Sequence, residues 1–246
     1  MSTALADPVT ELGGLPFLDD SFEHARLLAL VAALRHHEAT SRGLTAVGAA
    51  PHDPTSWLIP GNALRLRPDR PPIAEVELTE TRQQEVALVL DMLPAVVPSW
   101  GPLLRLPIRY LAHADDTAYS ASLRTWPQHI FLSRRAFTAR DQVISQVLHE
   151  NCHQWLYLIQ EAWDLQTRAE HDLTMPSGTT GRSLAEVLGG AHVAAALIRL
   201  YRTLSGQENR IDHLVTYSKG CLSTIDKHRD GLTPAGQAVA QRLEDL

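Results

Sequence analysis

The sequence predicts an α+β fold, predominantly helical, with a small sheet beside one long helix. Three observations predict it. Apolar residues recur at three-to-four spacing in the N-terminal third and again from about residue 138 to the end. Between these stretches, Leu106–His113 and His129–Ser133 are short, apolar and turn-bounded, as strands are. The composition, 44% hydrophobic and 20% charged over 246 residues, excludes disorder and supplies one sizeable core.

The elements follow in order. Residues 1–18 carry weak periodicity punctuated by Gly13, Gly14 and Pro16. A helix is expected from Asp20, with Ser21 as its cap and Leu27, Val31 and Leu34 on its apolar side, fading at Arg42-Gly43. Residues 43–78, with Arg70-Pro71-Pro72, read as a long irregular connection. A second helix begins at Thr79 and is disturbed at its end by Pro94 and Pro98. The stretch Asp115–Pro127 between the two strands reads as turn and loop. A long helix then spans about Thr138 to Leu165, with Thr138 and Asp141 resembling a capping box. After a loop over Arg168–Gly181, helices are expected at Ser183–Thr203, Arg210–Lys227 and Pro234–Leu243, the last with a Thr233 cap and Pro at its first turn.

Several function classes are set aside by composition. The formal net charge of −6 offers no basic field, so nucleic acid is not the expected partner. No apolar run approaches the ~18 residues of a membrane span, and the first thirty residues lack a secretory pattern. Two cysteines, Cys152 and Cys221, exclude a disulfide scaffold and suit a reducing cytoplasm.

Chemistry enters with His149-Glu150-Asn151-Cys152-His153, an H-E-x-x-H pattern inside the long helix. Residues four apart lie one turn above each other, so both imidazoles can reach one ion. Glu150 is rotated by ~100° and can approach the open side of that ion. The arrangement is zincin-like in its metal helix. The extended pattern that adds Gly and His further along is absent, since Leu156 and Ile159 stand there. For the third ligand, His192 and Glu186 are the candidates. His192 shares a helix flank with Ala185, Gly189 and Ala196, small residues that permit close approach, and is preferred; Glu186 projects from the other side. Cys152 lies toward the apolar stripe and is expected to pack. His36, His37, His113, His171, His213 and His228 lack ligand spacing. The strand His129–Ser133 reads either as an edge that an extended peptide could pair with or as an ordinary core strand. The organisation expected is one catalytic domain over 1–246, with a helical N-terminal lobe over 1–105 and a metal-binding core over 106–246.

These residues resemble the HExxH-motif proteins of bacterial ribosomal-peptide gene clusters, regarded as Fe(II)/2-oxoglutarate-dependent peptide β-hydroxylases. The resemblance covers roughly the C-terminal half: His129-Ile-Phe-Leu-Ser133, Val147-Leu-His-Glu-Asn-Cys-His153, Arg182-Ser-Leu184, Gly189-Gly-Ala-His192 and Leu232-Thr-Pro-Ala-Gly236. A Tyr/Ser-Pro-Trp-Arg stretch usual in that family is replaced here by Met175-Pro-Ser-Gly-Thr-Thr-Gly. The resemblance implies an oxygenase hydroxylating a side-chain β-carbon of a ribosomal precursor peptide, with iron on His149, His153 and His192. Its dicarboxylate cosubstrate would need a cationic clamp. Arg199, two turns from His192 on one flank, and Arg182, at the helix N-terminus, are the candidates, ahead of Arg124 and Arg109. The alternative is a zinc metallopeptidase with Glu150 as general base; a peptide-binding protein with a relic motif is the non-enzymatic reading.

Overall fold

The computed structural model describes residues 7–48, 52–167 and 172–246. Helices are α1 (Pro8–Leu12), α2 (His24–Ser41), α3 (Pro60–Arg65), α4 (Glu80–Val96), α5 (Gly101–Leu104), α6 (Arg140–Ala162), α7 (Leu184–Thr203), α8 (Glu208–Lys227) and α9 (Pro234–Glu244). Strands are β1 (Val76–Glu77), β2 (Arg109–Ala112), β3 (Ser120–Ala121) and β4 (His129–Leu132). The mostly helical α+β class is as expected. The chain divides into two compact units, one of residues 25–162 and one joining 7–24 to 163–246. The boundaries of these units fall beside residues 24 and 162.

Residues 25–162 are organised by a four-stranded mixed sheet in the order β1-β2-β4-β3. Strand β4 runs parallel to β2 and antiparallel to β3, so it is an interior strand. Of the two readings of His129–Ser133, the core strand is the one found; all four β4 residues are buried, as a centrally paired strand covered on both faces must be. The sheet's edges are β1 and β3, and β3 lies inside the stretch read as loop. Its two paired residues are too few to show an alternating pattern. Two further elements, α3 and β1, lie inside the supposed irregular connection. Leu64 of α3 packs with Leu111, Trp126 and Phe131, so even this Pro-rich segment contributes to the core.

Helix α6 is tied to the sheet by its polar side chains. Gln154 accepts from the Gln128 amide (2.7 Å) and donates to the His129 carbonyl (2.9 Å). The Trp155 indole donates to Leu103 O, and Asn151 donates to the Tyr110 hydroxyl (2.9 Å). The expected Thr138–Asp141 capping box does not form: the Thr138 hydroxyl bonds back to Arg135 O, and α6 starts at Arg140. Ser21 likewise does not cap α2; its hydroxyl bonds to Gly13 O.

The other unit is built around α7. Ser183 and Glu186 form a capping box at its start, each side chain bonding the other's backbone N–H. By length and composition α7 could cross a membrane, against the expectation that no such run exists, but 78% of its most apolar window is buried here, as in a core helix. It packs along α8, and a side chain at Gly190 would press on Met175 and the Tyr217 hydroxyl. The Thr233 cap on α9 is as expected, its oxygen accepting from the Gly236 amide. Gly236 has a stricter reason to be glycine, because a Cβ there would stand 1.9 Å from the Leu165 carbonyl oxygen.

Candidate metal centre

With Asn151, Gln154 and Trp155 turned to the core, helical rotation leaves Gln146, His149, His153 and Tyr157 on another face. His149 and His153 come together there. Their Nε2 atoms are 3.1 Å apart, and their rings meet edge to face at 4.8 Å between centroids. Two nitrogens each about 2.1 Å from a shared ion, at angles of about 90–109°, would stand about 3.0–3.4 Å apart. The observed spacing thus suits one edge of a coordination shell, and equally an N–H···N hydrogen bond between neutral imidazoles. Tyr157 lies nearly parallel to His153, with planes 13° apart and ring centroids 6.0 Å apart.

Glu150 sits beside the pair. Its Oε1 lies 3.9 Å from His149 Nε2 and accepts a 2.6 Å hydrogen bond from the Ser120 hydroxyl. Ser120 Oγ is also 2.6 Å from Gln146 Oε1. The Glu150 side chain is only 3% exposed, and its Oε2 is buried without a hydrogen-bond partner. A buried carboxylate oxygen left unsatisfied is costly, and in a native fold it calls for a specific reason. A group held between the two imidazoles would provide one. Two ring nitrogens with a carboxylate beside them are donor types that divalent transition metals take, and the imidazole pair supplies two of the positions such an ion needs.

Strand β3 borders this site. Ser133 N donates to Tyr119 O, and Ser120 stands opposite Leu132 in the antiparallel register. Ser120 is therefore in the pair that exchanges no hydrogen bonds, so its N–H and C=O face the open edge of the sheet. Two residues on, Ser122 O accepts from the Tyr157 hydroxyl (3.2 Å), which places that edge alongside the histidine-bearing face of α6.

The remaining expected site residues lie elsewhere. Among the described residues no three His, Cys, Asp or Glu side chains gather in a metal-holding group. His149 and His153 of the expected triad belong to one unit, and His192 belongs to the other. It is fully buried, its Nε2 donates to Pro16 O (2.7 Å), and Nδ1 has no hydrogen-bond partner. Glu186 is held by the α7 capping box and by Arg182 Nη1 (2.6 Å). Burial opposes its charge, but bonds from Ser183 and Arg182 outweigh that and keep the carboxyl below its usual range. Arg182 is spent on this pairing. Arg199 donates to Phe17 O and Leu18 O and pairs with Asp20, so its guanidinium clamps the N-terminal segment of its own unit. Arg109 pairs with Glu75 and Glu77, and Arg124 is exposed. Cys152 packs as expected; burial, with the Glu150 charge adding to it, pushes its thiol well above the ordinary value. Cys221 is buried and free as well. His171 lies outside the described residues.

Sequence reasoning missed Ser120, Gln146 and Tyr157. For two of these a signal existed. Gln146, Glu150, His153 and Tyr157 repeat at four, three and four residues, a continuous polar stripe on α6. Ser120 carried no such signal, because its place depends on the sheet register.

His192 carries a prediction. Burial lowers its pKa from 6.5 to about 4, although the Pro16 carbonyl and Asp19 favour the proton. Below pH 6.5 the unfolded chain takes up a proton that the folded chain resists until about pH 4. Stability from this residue is therefore complete above pH 6.5 and is lost as pH falls to about 4, by about 3 kcal/mol. Urea unfolding at pH 7.5 and 4.5 should show a smaller acid loss for His192→Gln, whose amide can still donate to Pro16 O. An equal pH dependence in both proteins would remove His192 from the account.

No protein-family model matches the chain, and no curated protein matches it either.

Proposed function

We propose that this chain is a metal-dependent, peptide-modifying enzyme, an Fe(II)/2-oxoglutarate oxygenase that hydroxylates a side-chain β-carbon of a ribosomally made peptide. The observation that carries the metal-dependent part is the 3.1 Å approach of His149 and His153 Nε2 beside the buried Glu150 carboxylate. The choice of iron and 2-oxoglutarate rests on the resemblance of the motif and its flanking elements to the peptide β-hydroxylases. Bound iron, with 2-oxoglutarate decarboxylated to succinate and dioxygen as oxidant, would supply the power to hydroxylate an unactivated carbon.

The chain's own residues have definable tasks. His149 and His153 would hold the ion from one helix face. Tyr157 keeps the His153 ring in plane, an outer-shell role that sustains ligand orientation. Ser120 offers main-chain N–H and C=O to an extended peptide, which would bind as an added strand along β3. Glu150 lies next to that edge through Ser120 and orients substrate or water there.

The orphaned Glu150 Oε2 favours a second reading, a zinc metallopeptidase in which this carboxylate takes a proton from a zinc-activated water. One experiment separates the two. Iron-loaded protein is titrated anaerobically with 2-oxoglutarate while the charge-transfer absorption is followed, and zinc-loaded protein is offered a peptide library. The oxygenase should bind 2-oxoglutarate, and Glu150→Gln should retain that binding because Glu150 is not a ligand. Failure of the iron form to bind 2-oxoglutarate, with cleavage by the zinc form that vanishes in Glu150→Gln, would give the site to the peptidase.

A further inference from the structure

The carboxylate beside the histidine pair poses a chemical problem. Glu150 Oε1 is 3.9 Å from His149 Nε2, and an ion on that nitrogen would lie about 2.1 Å from it. A carboxylate so placed is within a torsional step of becoming a ligand itself. If it bound, it would occupy coordination space that the reaction needs and could no longer orient substrate or water. Something must restrain it, and the described residues offer one hydroxyl in contact with Oε1, that of Ser120 (2.6 Å).

Proton counting sharpens the role of that hydroxyl. Ser120 Oγ has one proton to give and lone pairs to receive with. The carboxylate oxygen accepts only, so the Ser120 proton goes to Glu150 Oε1. Gln146 touches the same hydroxyl at 2.6 Å and must then present its amide N–H to Ser120 Oγ, with its oxygen and nitrogen exchanged relative to their assigned places. The resulting chain runs from the Gln146 amide through Ser120 Oγ to Glu150 Oε1. It joins two residues one turn apart on α6 through a third on β3, so both ends sit on regular elements. Each member is oriented by the next.

We propose that Ser120, supported by Gln146, is a positioning residue that holds Glu150 outside the coordination shell of the metal. The same residue has its main-chain N–H and C=O on the open edge of β3, so a docked peptide would lie against the group that sets the carboxylate. This inference rests on the metal-dependent reading above.

Co(II) serves as the probe, because its visible absorption reports coordination number and ligand set without any turnover. In Ser120→Ala the released carboxylate should enter the shell as an added ligand, changing the Co(II) bands and tightening Co(II) binding by about 10-fold, or about 1.4 kcal/mol. Ser120→Thr keeps a hydroxyl and should retain the wild-type spectrum. Adding Glu150→Gln to Ser120→Ala should restore wild-type bands, since the amide is a poorer ligand. Gln146→Leu, placed on the helix, should move the spectrum in the same direction as Ser120→Ala, by less. Wild-type protein that binds Co(II), with Ser120→Ala and Gln146→Leu leaving both bands and affinity unchanged, overturns the role of Ser120 alone. Wild-type protein that binds no Co(II) overturns the metal-dependent reading and this inference with it.

Discussion

His153→Ala is expected to lower the affinity of the protein for Zn(II) or Co(II) by about 100-fold, and His149→Ala by a similar factor. Structural zinc sites with four protein ligands have apparent binding free energies of about 10–16 kcal/mol, which is about 3 kcal/mol per ligand. Removing one of the two converging imidazoles should cost about that much, and each 1.4 kcal/mol is about tenfold. His149 has 36% of its side chain exposed, so its replacement should leave the fold intact and the loss can be read as loss of a ligand. His213→Ala supplies the control, because that exposed histidine lies in α8 of the other unit. Metal content after equilibrium dialysis decides the matter. Equal retention by His153→Ala, His149→Ala and His213→Ala would show that the 3.1 Å approach of the two rings is an ordinary hydrogen bond and not half of a metal site.

A second large effect concerns stability. Glu161→Leu is expected to destabilise the unit of residues 25–162 by about 3–5 kcal/mol. Arg35, on α2, has a side chain only 1% exposed. Its guanidinium donates twice to Glu161 (2.8 and 2.6 Å) and also to Trp57 O and Gln128 Oε1. Without Glu161 a positive charge would remain inside the protein with two neutral acceptors, and the cost is that of an uncompensated ion. Arg35→Met should cost less, because Arg67 Nη2, 3.4 Å from Glu161 Oε2, still neutralises the carboxylate. The double variant Arg35→Met/Glu161→Leu should recover most of the loss, since an apolar pair of similar volume removes both desolvation penalties. Urea-unfolding midpoints of the three variants test this ordering. Additive losses in the double variant would mean that the pair is not energetically coupled.

The fold was legible in the sequence where periodicity ran long. Helices α4, α6, α7, α8 and α9 lie within a few residues of their expected bounds, because ten or more residues of three-to-four spacing cannot serve a strand. Helix α3 and strands β1 and β3 were not legible. They have between two and six residues, and they form only because a sheet and its core are already there to receive them. The interior place of β4 was hidden for a related reason: a buried apolar run reads alike at an edge or in the middle, and β3 decides between them. At the site, the two histidines of the motif were legible from their i, i+4 spacing alone. Ser120 was not, since it meets Glu150 through 30 residues of intervening chain. His192 shows the opposite case. The small residues beside it were read as room for a second metal-bearing helix. In the folded chain, its Nε2 proton is taken by the carbonyl of Pro16.

That bond also bears on biosynthesis. His192 and Pro16 are 176 residues apart in sequence, and Asp19 reaches Arg242 across 223. Helix α1 packs against α9, so one unit closes only by joining the two extremes of the described chain. During translation, residues 25–162 emerge as one uninterrupted stretch, so the contacts internal to their unit can form before residue 163 is made. Residues 7–24 have no such option. They must wait, with Leu12, Leu15 and Phe17 exposed to water, until α7 and α9 have been made. At about 5–20 residues per second, the roughly 230 residues between α1 and the end of α9 take about 12–46 s to appear. For that interval residues 7–24 remain an unsatisfied apolar segment, the kind of feature that chaperones bind.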